Sequence, residues 1–288
     1  ITVAITTFNR HKLLVRAIHS VEEQSRRANE IIVIDDCSTD ATHEVANAFP
    51  NIIYHRQLSN LGPGFARNEG ILRASGDFIV FLDDDDELLP DALEKIEHYI
   101  GLFSGFPVVQ LARSNGSVLN QGIVSLDMYL KGEIQGDFAP VINRALFLNH
   151  ALKYPTSRVG GEHLLWWKIA AEWGIPTLSA VVMRLNDDAQ ERLTSPHTQI
   201  SKAKEHFLLT QETLELFGDV MRQIAPSLYL KKLLGAVVYG KLSGHGSSLW
   251  PFVRKIFEAG SIRGLIVSIL IIILPQPFVR YFFLRIRL

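Results

Sequence analysis

Cysteine is almost missing from this sequence: Cys37 stands alone among 288 residues. That excludes an internal disulfide and fits a reducing compartment, so a cytoplasmic location is expected. Long apolar runs are missing too. Gly264 to Leu274, GLIVSILIIIL, gives eleven residues before PQP interrupts, whereas an α-helix needs about 20 to cross a bilayer. This argues against a processive synthase that builds its own pore. Internal repeats and low-complexity tracts are lacking, which removes solenoids and linker-rich architectures. The first residue is Ile1, so a leader removed upstream would leave no trace in the chain.

What is present suffices for one large α/β domain with an appendage, since 47% of the residues are hydrophobic. The net charge of −1 conceals two opposed parts. Residues 230–288 carry nine Lys or Arg against one acid, Glu258, leaving an acidic excess in residues 1–229. In the basic part, FVRYFFLRIRL spaces Arg280, Arg285 and Arg287 among aromatic and leucine side chains. Apolar surface with interleaved arginines suits a segment lying in a membrane interface, where rings enter the acyl boundary and guanidinium groups meet anionic lipid. An ordinary buried C-terminal helix is the alternative. Nucleic acid is not an expected partner, because phosphate-backbone binding needs an exposed polar basic face rather than an apolar tail.

The first hundred residues alternate. ITVAIT (1–6), EIIVID (30–35), NIIYHR (51–56) and DFIVFL (77–82) read as strands, with helices near 11–25, 39–49 and 63–74. Strand, helix, strand at this spacing predicts a mostly parallel sheet flanked by helices. Ligands of such sheets bind beyond the carboxyl ends of the strands. Those ends are Thr6 to Arg10, Asp35 to Ser38 and Asp83 to Asp86, all polar and two of them acidic. Residues 106–184 mix extended pieces with a helix over 160–173 and a strand over 177–183, and beyond His197 the pattern turns helical. The division predicted is a domain over 1–200 and a helical basic and apolar extension over 201–288.

FLDDDDELLP (81–90) asks why four carboxylates should follow a buried strand. They repel one another unless a cation neutralises them, and hard divalent ions, Mn²⁺ or Mg²⁺, prefer oxygen ligands. One or two protein carboxylates suffice where a diphosphate supplies further oxygens, which points to a nucleotide diphosphate as ligand. A solvated acidic turn before a helix starting at Pro90 would account for Asp86, Glu87 and Asp91 but not for Asp83 to Asp85. A prenyl-diphosphate motif would need a long helix before it, and Phe78 to Leu82 is too short and β-rich.

With VAITTFNR (3–10), IIVIDDCSTD (31–40), LGPGFARNEGI (61–71) and GDFIVFLDDDDELLP (76–90) in this order, the chain resembles the family 2 inverting glycosyltransferases of the GT-A fold. The resemblance is strong to about residue 100, thinner over 138–195 and absent from the tail. It implies that Thr7, Phe8, Asn9 and Arg10 line the nucleotide base and that Asp35 and Asp36 recognise base and ribose. It places Arg67 and Asn68 beside the nucleotide, Asp85 on the metal, and Asp83 on the ribose or a metal-bound water. In a run of four the register can instead fall on Asp84 and Asp86. Cys37 replaces the glycine usual after the two acids, which alters backbone freedom there. The catalytic base implied is Glu162, opening a helix in phase with the family's Asp-x-x-Leu-Trp-x-Arg-x-Ala. A shift of one residue would make it His163, whose imidazole can also accept a proton. Here the acid usual before the base is Gly161, and the family's Asp is one methylene longer as Glu162. Arg192, in ERLT (191–194), matches a late segment from which it would reach a diphosphate. Trp166, Trp167 and Trp173 carry no assignment, because aromatics on a helix usually serve the core.

The function expected is metal-dependent, inverting transfer from a nucleotide diphosphate sugar, a UDP-sugar by preference. The acceptor would be a glycan or polyprenyl-linked saccharide of polysaccharide biosynthesis at the inner face of the plasma membrane. The alternatives are a membrane-docked scaffold with a degenerate transferase domain, and a sugar nucleotidyltransferase. The latter wants a Gly-rich, Arg-containing loop after the first strand, and TTFNRHK is not one.

Overall fold

The computed structural model describes residues 1–118, 122–186 and 195–287. Its contacts divide the chain into two compact units, Ile1–Gln190 and Glu191–Leu288.

The first unit begins with β1 (Thr2–Thr7), α1 (His11–Glu22), β2 (Glu30–Asp35), α2 (Thr42–Asn47), β3 (Ile52–Arg56), α3 (Pro63–Arg73) and β4 (Phe78–Asp83). The strands pair in parallel in the order β3-β2-β1-β4, as the alternation predicts. Their near-continuous apolar runs follow from helices covering both faces. With a side-chain period of two, Val3, Ile5, Val33, Val80 and Leu82 meet Leu14, Ile18 and Val21 of α1 on one face. Ala4, Ile32, Ile34, Ile79 and Phe81 meet Ala66 and Ile71 of α3 on the other.

The chain continues through β5 (Glu87–Leu88), α4 (Ala92–Leu102), β6 (Val108–Arg113), β7 (Ser117–Val118), β8 (Gly122–Val124), α5 (Leu126–Lys131), β9 (Ile134–Gln135) and β10 (Phe138–Asn143). Next come α6 (Arg144–Asn149), α7 (Glu162–Glu172) and β11 (Ile175–Arg184). Here the sheet is mixed. β10 lies antiparallel between β4 and β6, and β11 runs parallel to β6. Two reversals restore direction, so β6 and β11 end at the same edge of the sheet as β1, β2 and β4. That edge carries every strand tip named above.

The second unit is helical among its described residues: α8 (Pro196–Ser201), α9 (Ala203–Ile224), α10 (Pro226–Leu242), a 3₁₀ turn at Gly246–Ser248, α11 (Trp250–Glu258), α12 (Ile262–Ile273) and α13 (Gln276–Arg287). Pro226 ends one helix and begins the next, since it cannot donate to the preceding turn but suits a first helical position. Phe207, Leu214 and Met221 of α9 and Leu233, Ala236 and Val237 of α10 are buried. The apolar tail behaves otherwise. α12 fully buries only Gly264 and Ser268, while Ile262, Ile266, Leu270 and Ile273 stand exposed, as do Phe278, Tyr281 and Phe282 of α13. Among the described residues no helix is long and apolar enough to cross a membrane.

Candidate active site

β4 delivers the four aspartates to the sheet edge, and a turn closed by the Asp86 amide on the Asp83 carbonyl, 3.1 Å, leads into β5. Burial alternates through it. Asp84 and Asp86 are each 3% exposed, while Asp83 and Asp85 are partly open. This alternation puts Asp83 and Asp85, not Asp84 and Asp86, on the accessible side.

Their mutual repulsion is met by arginines. Arg10 Nη1 bridges Asp84 at 2.9 Å and Asp85 at 3.0 Å. Arg113, at the end of β6, contacts Asp86 at 3.0 Å and Asp83 at 3.4 Å. Arg67 holds Asp83 at 2.7 Å, and Arg16 Nη2 donates to the Asp85 carbonyl at 2.8 Å. Burial alone would raise Asp83, but Arg67 and Arg113 outweigh it and hold the carboxyl at about 2. Burial wins at the other two. It pushes Asp84 up to about 6 against Arg10, and Asp86 up to about 7, helped by the Asp83 charge and opposed by Arg113.

The donor set suits a hard divalent cation. Asp85 presents a partly open carboxylate with one oxygen on Arg10, whereas both oxygens of Asp83 face guanidinium groups. Asp85 therefore offers the less engaged carboxylate of the two. Among the described residues no three Asp, Glu, His or Cys side chains gather into a closed metal cage, and a diphosphate would have to supply the remaining oxygens.

Arg67 also ties in the candidate base. It is buried on α3, stacks its guanidinium 5.6 Å from the centre of the Tyr154 ring, and pairs with Asp83 on one side and Glu162 on the other. Residues from α3, β4 and the first turn of α7 thus converge on one cation, whose own charge is reinforced by Glu162 and Asp83 despite burial. The neighbouring His163 instead sets its ring edge-on to Trp167, centroids 4.9 Å apart. Gly161 explains the departure from the family pattern: its φ is +108°, where an acidic side chain would be strained.

Several expected nucleotide contacts are used by the protein itself. Thr7 is buried and Phe8 exposed at the tip of β1. The Asn9 carboxamide accepts from the Thr39 amide at 2.7 Å, with Asn9 at φ +53°. Asp35, fully buried, accepts from the Ser38 amide at 2.8 Å and the Tyr54 hydroxyl at 2.5 Å. Asp36 accepts from the amides of Leu61 and Gly62 at 2.8 and 2.7 Å, and burial raises its pKa in spite of them. Asn68 clasps the backbone of Tyr154, donating to its carbonyl at 2.9 Å and accepting from its amide at 2.8 Å. Arg192 lies outside the described residues.

Arg16, Arg113, Tyr154 and Asn186 are the cluster residues that the sequence reading misses. Asn186 Nδ2 donates to the Asp85 carbonyl at 3.1 Å and to Glu87 at 3.0 Å. Arg113 had a usable signal, because VVQLAR is an apolar run ending in a cation at a strand tip. The other three had none.

Residues 2–139, the stretch bearing the aspartate turn and the four arginines that contact it, match the family described as Glycosyl transferase family 2. Over that stretch the chain is similar to the family 2 glycosyltransferases. The chain is 32% identical over 187 residues to the GalNAc(5)-diNAcBac-PP-undecaprenol beta-1,3-glucosyltransferase of Campylobacter jejuni, covering 60% of each chain. It spans 54–62% of the length of this relative and three other curated ones. In fold it is similar to Staphylococcus aureus TarS 1-349 in complex with UDP-GlcNAc, with a TM-score of 0.60, 19% identity and coverage of 97% of this chain and 86% of that one. It is similar also to the mannosyltransferase PcManGT of Pyrobaculum calidifontis in complex with GDP-Man and Mn²⁺, at 0.58, 16%, 93% and 85%. At such identities these two likenesses speak for the GT-A architecture alone.

Proposed function

We propose that this glycosyltransferase moves a sugar from a nucleotide diphosphate donor, a UDP-sugar by preference, to a hydroxyl of a glycan or polyprenyl-linked saccharide, inverting the anomeric carbon. The observation that carries the reading is the Arg67 bridge, which brings Glu162 to the Asp83 side of the aspartate turn. Glu162 removes the proton of the acceptor hydroxyl as that oxygen attacks the anomeric carbon. The bond to the diphosphate oxygen breaks on the opposite face, and its electron pair leaves with the diphosphate. Arg67 holds the Glu162 carboxylate in orientation, and Arg10 and Arg113 set positive charge where the leaving group gains negative charge. Asp85, with Asp83, would hold Mn²⁺ or Mg²⁺, which when bound to the diphosphate neutralises its developing charge. Arg192 is assigned to the same diphosphate.

The acceptor class is supported by the Campylobacter relative, whose name specifies an undecaprenol-linked substrate. A peripheral position on the inner face of the plasma membrane is supported by the exposed apolar residues of α12 and α13 and by the basic excess of residues 230–288.

Calorimetric titration with UDP, GDP and dTDP, each with and without Mn²⁺, tests the donor site. Metal-dependent binding of one nucleotide, lost in Asp85→Asn, is the expected outcome. Binding of none by the wild-type protein sinks the reading.

A further inference from the structure

Asp35 and Asp36, which the family resemblance assigns to base recognition, have their carboxylate oxygens occupied by Ser38, Tyr54, Leu61 and Gly62. The Asn9 carboxamide is held by Thr39. One residue at this edge differs. Gln57 follows β3 directly, and its amide extends the ladder to the Asp35 carbonyl at 2.8 Å. The residue is 6% exposed, and its buried Oε1 and Nε2 have no hydrogen-bond partner among the described residues.

A buried carboxamide with both donor and acceptor unmet is costly, because its lost hydration is not replaced. Native proteins keep such groups rare, so each invites an explanation. The position of Gln57 supplies one. Side chains alternate along a strand, so Gln57 shares the face of His55, whose Nε2 stands 4.0 Å from Glu69 of α3. It therefore lies on the α3 side of the sheet edge. The loop that holds Asp36 through Leu61 and Gly62 leads from Gln57 into α3.

We infer that Gln57 reads the nucleobase of the donor, its carbonyl accepting from a ring N–H and its amide donating to the adjacent ring carbonyl. The edge that fits is an imide, N–H beside C=O, as uracil and thymine present it; guanine offers the same pair. In this assignment Asp35 and Asp36 shape the pocket by pinning its loops, and Gln57 makes the base contact. The inference rests on the donor-site reading above.

The test compares UDP, dTDP and GDP with inorganic diphosphate, all with Mn²⁺, on the full chain by calorimetry. Gln57→Leu removes both polar atoms, and Gln57→Glu keeps length and polarity but removes the donor. Both variants are expected to lose about tenfold or more in affinity for the nucleotide that the wild type prefers, the scale of one or two lost hydrogen bonds. Inorganic diphosphate, which has no base, should bind them within about twofold of wild type, a control that also reports an intact fold. Which of the three nucleotides shows the loss identifies the base. Unchanged nucleotide affinity in both variants overturns the inference, and so does an equal loss for inorganic diphosphate, which would make Gln57 a support of the fold. Failure of the wild type to bind any nucleotide would instead defeat the donor-site reading.

Discussion

Cys37 occupies φ +69°, a left-handed conformation that costs an L-residue roughly 1–2 kcal/mol. The two-acid motif reveals that a glycine is missing there. Only the backbone reveals that the turn keeps the glycine conformation without the glycine. Cys37→Gly should therefore raise stability, by about 1 kcal/mol once the greater freedom of the unfolded glycine is counted, seen as a higher denaturant midpoint with unchanged slope. Asp86 supports a second prediction. Because burial and Asp83 raise its carboxyl to about 7, the fold prefers the protonated form. Its contribution is complete below the ordinary carboxylate range and disappears as pH climbs through about 7. Asp86→Asn, which stays neutral and can still accept from Arg113, should be more stable than wild type at pH 8 in the metal-free protein. At pH 4 the two should melt alike. The aspartate run was legible as a charged cluster; which of its members are buried was not, because four identical residues give no phase until the turn sets one.

At the scale of elements, α3 is predicted by Gly62-Pro63-Gly64 and the following ARN, and its place in the protein depends on residues far away in the chain. A Cβ added at Gly64 would stand 2.0 Å from the Pro155 carbonyl oxygen, and Asn68 clasps Tyr154 one turn later. Gly64→Ala should lower stability by roughly 1–3 kcal/mol, as overpacking does, and move Arg67 relative to Glu162. Urea unfolding measures the first effect, and loss of donor hydrolysis out of proportion to stability the second. The parallel half of the sheet was legible because strands covered on both faces leave unbroken apolar runs of five or six residues. The second half was not. A strand such as β10 is antiparallel to both neighbours, and nothing in FAPVIN announces its direction. Arg113 was missed for that reason, since its tip is at the site only because two reversals bring it there.

For the whole molecule, the chain divides into a sheet-based unit and a helical unit, and the helical unit contains the basic stretch 230–288 and exposes apolar side chains on α12 and α13. The full chain should sediment with vesicles containing phosphatidylglycerol and much less with phosphatidylcholine alone, with binding weakened by salt. Ile266→Asp with Leu270→Asp should abolish sedimentation while UDP titration stays unchanged; retained sedimentation would remove these helices from the contact. What the sequence by itself determined were the strand tips, the order of the motifs, the carboxylate run and the charge asymmetry, because each is written in neighbouring residues and in the periods of strand and helix. What only the tertiary structure decided was which charges meet. Arg10, Arg67 and Arg113 reach one turn from three different elements, Glu162 joins them across 95 positions of sequence, and Asp35 and Asp36 turn inward to loop amides. Such pairings depend on where a folded edge places atoms, and Coulomb and hydrogen-bond energies act through those distances, not along the chain.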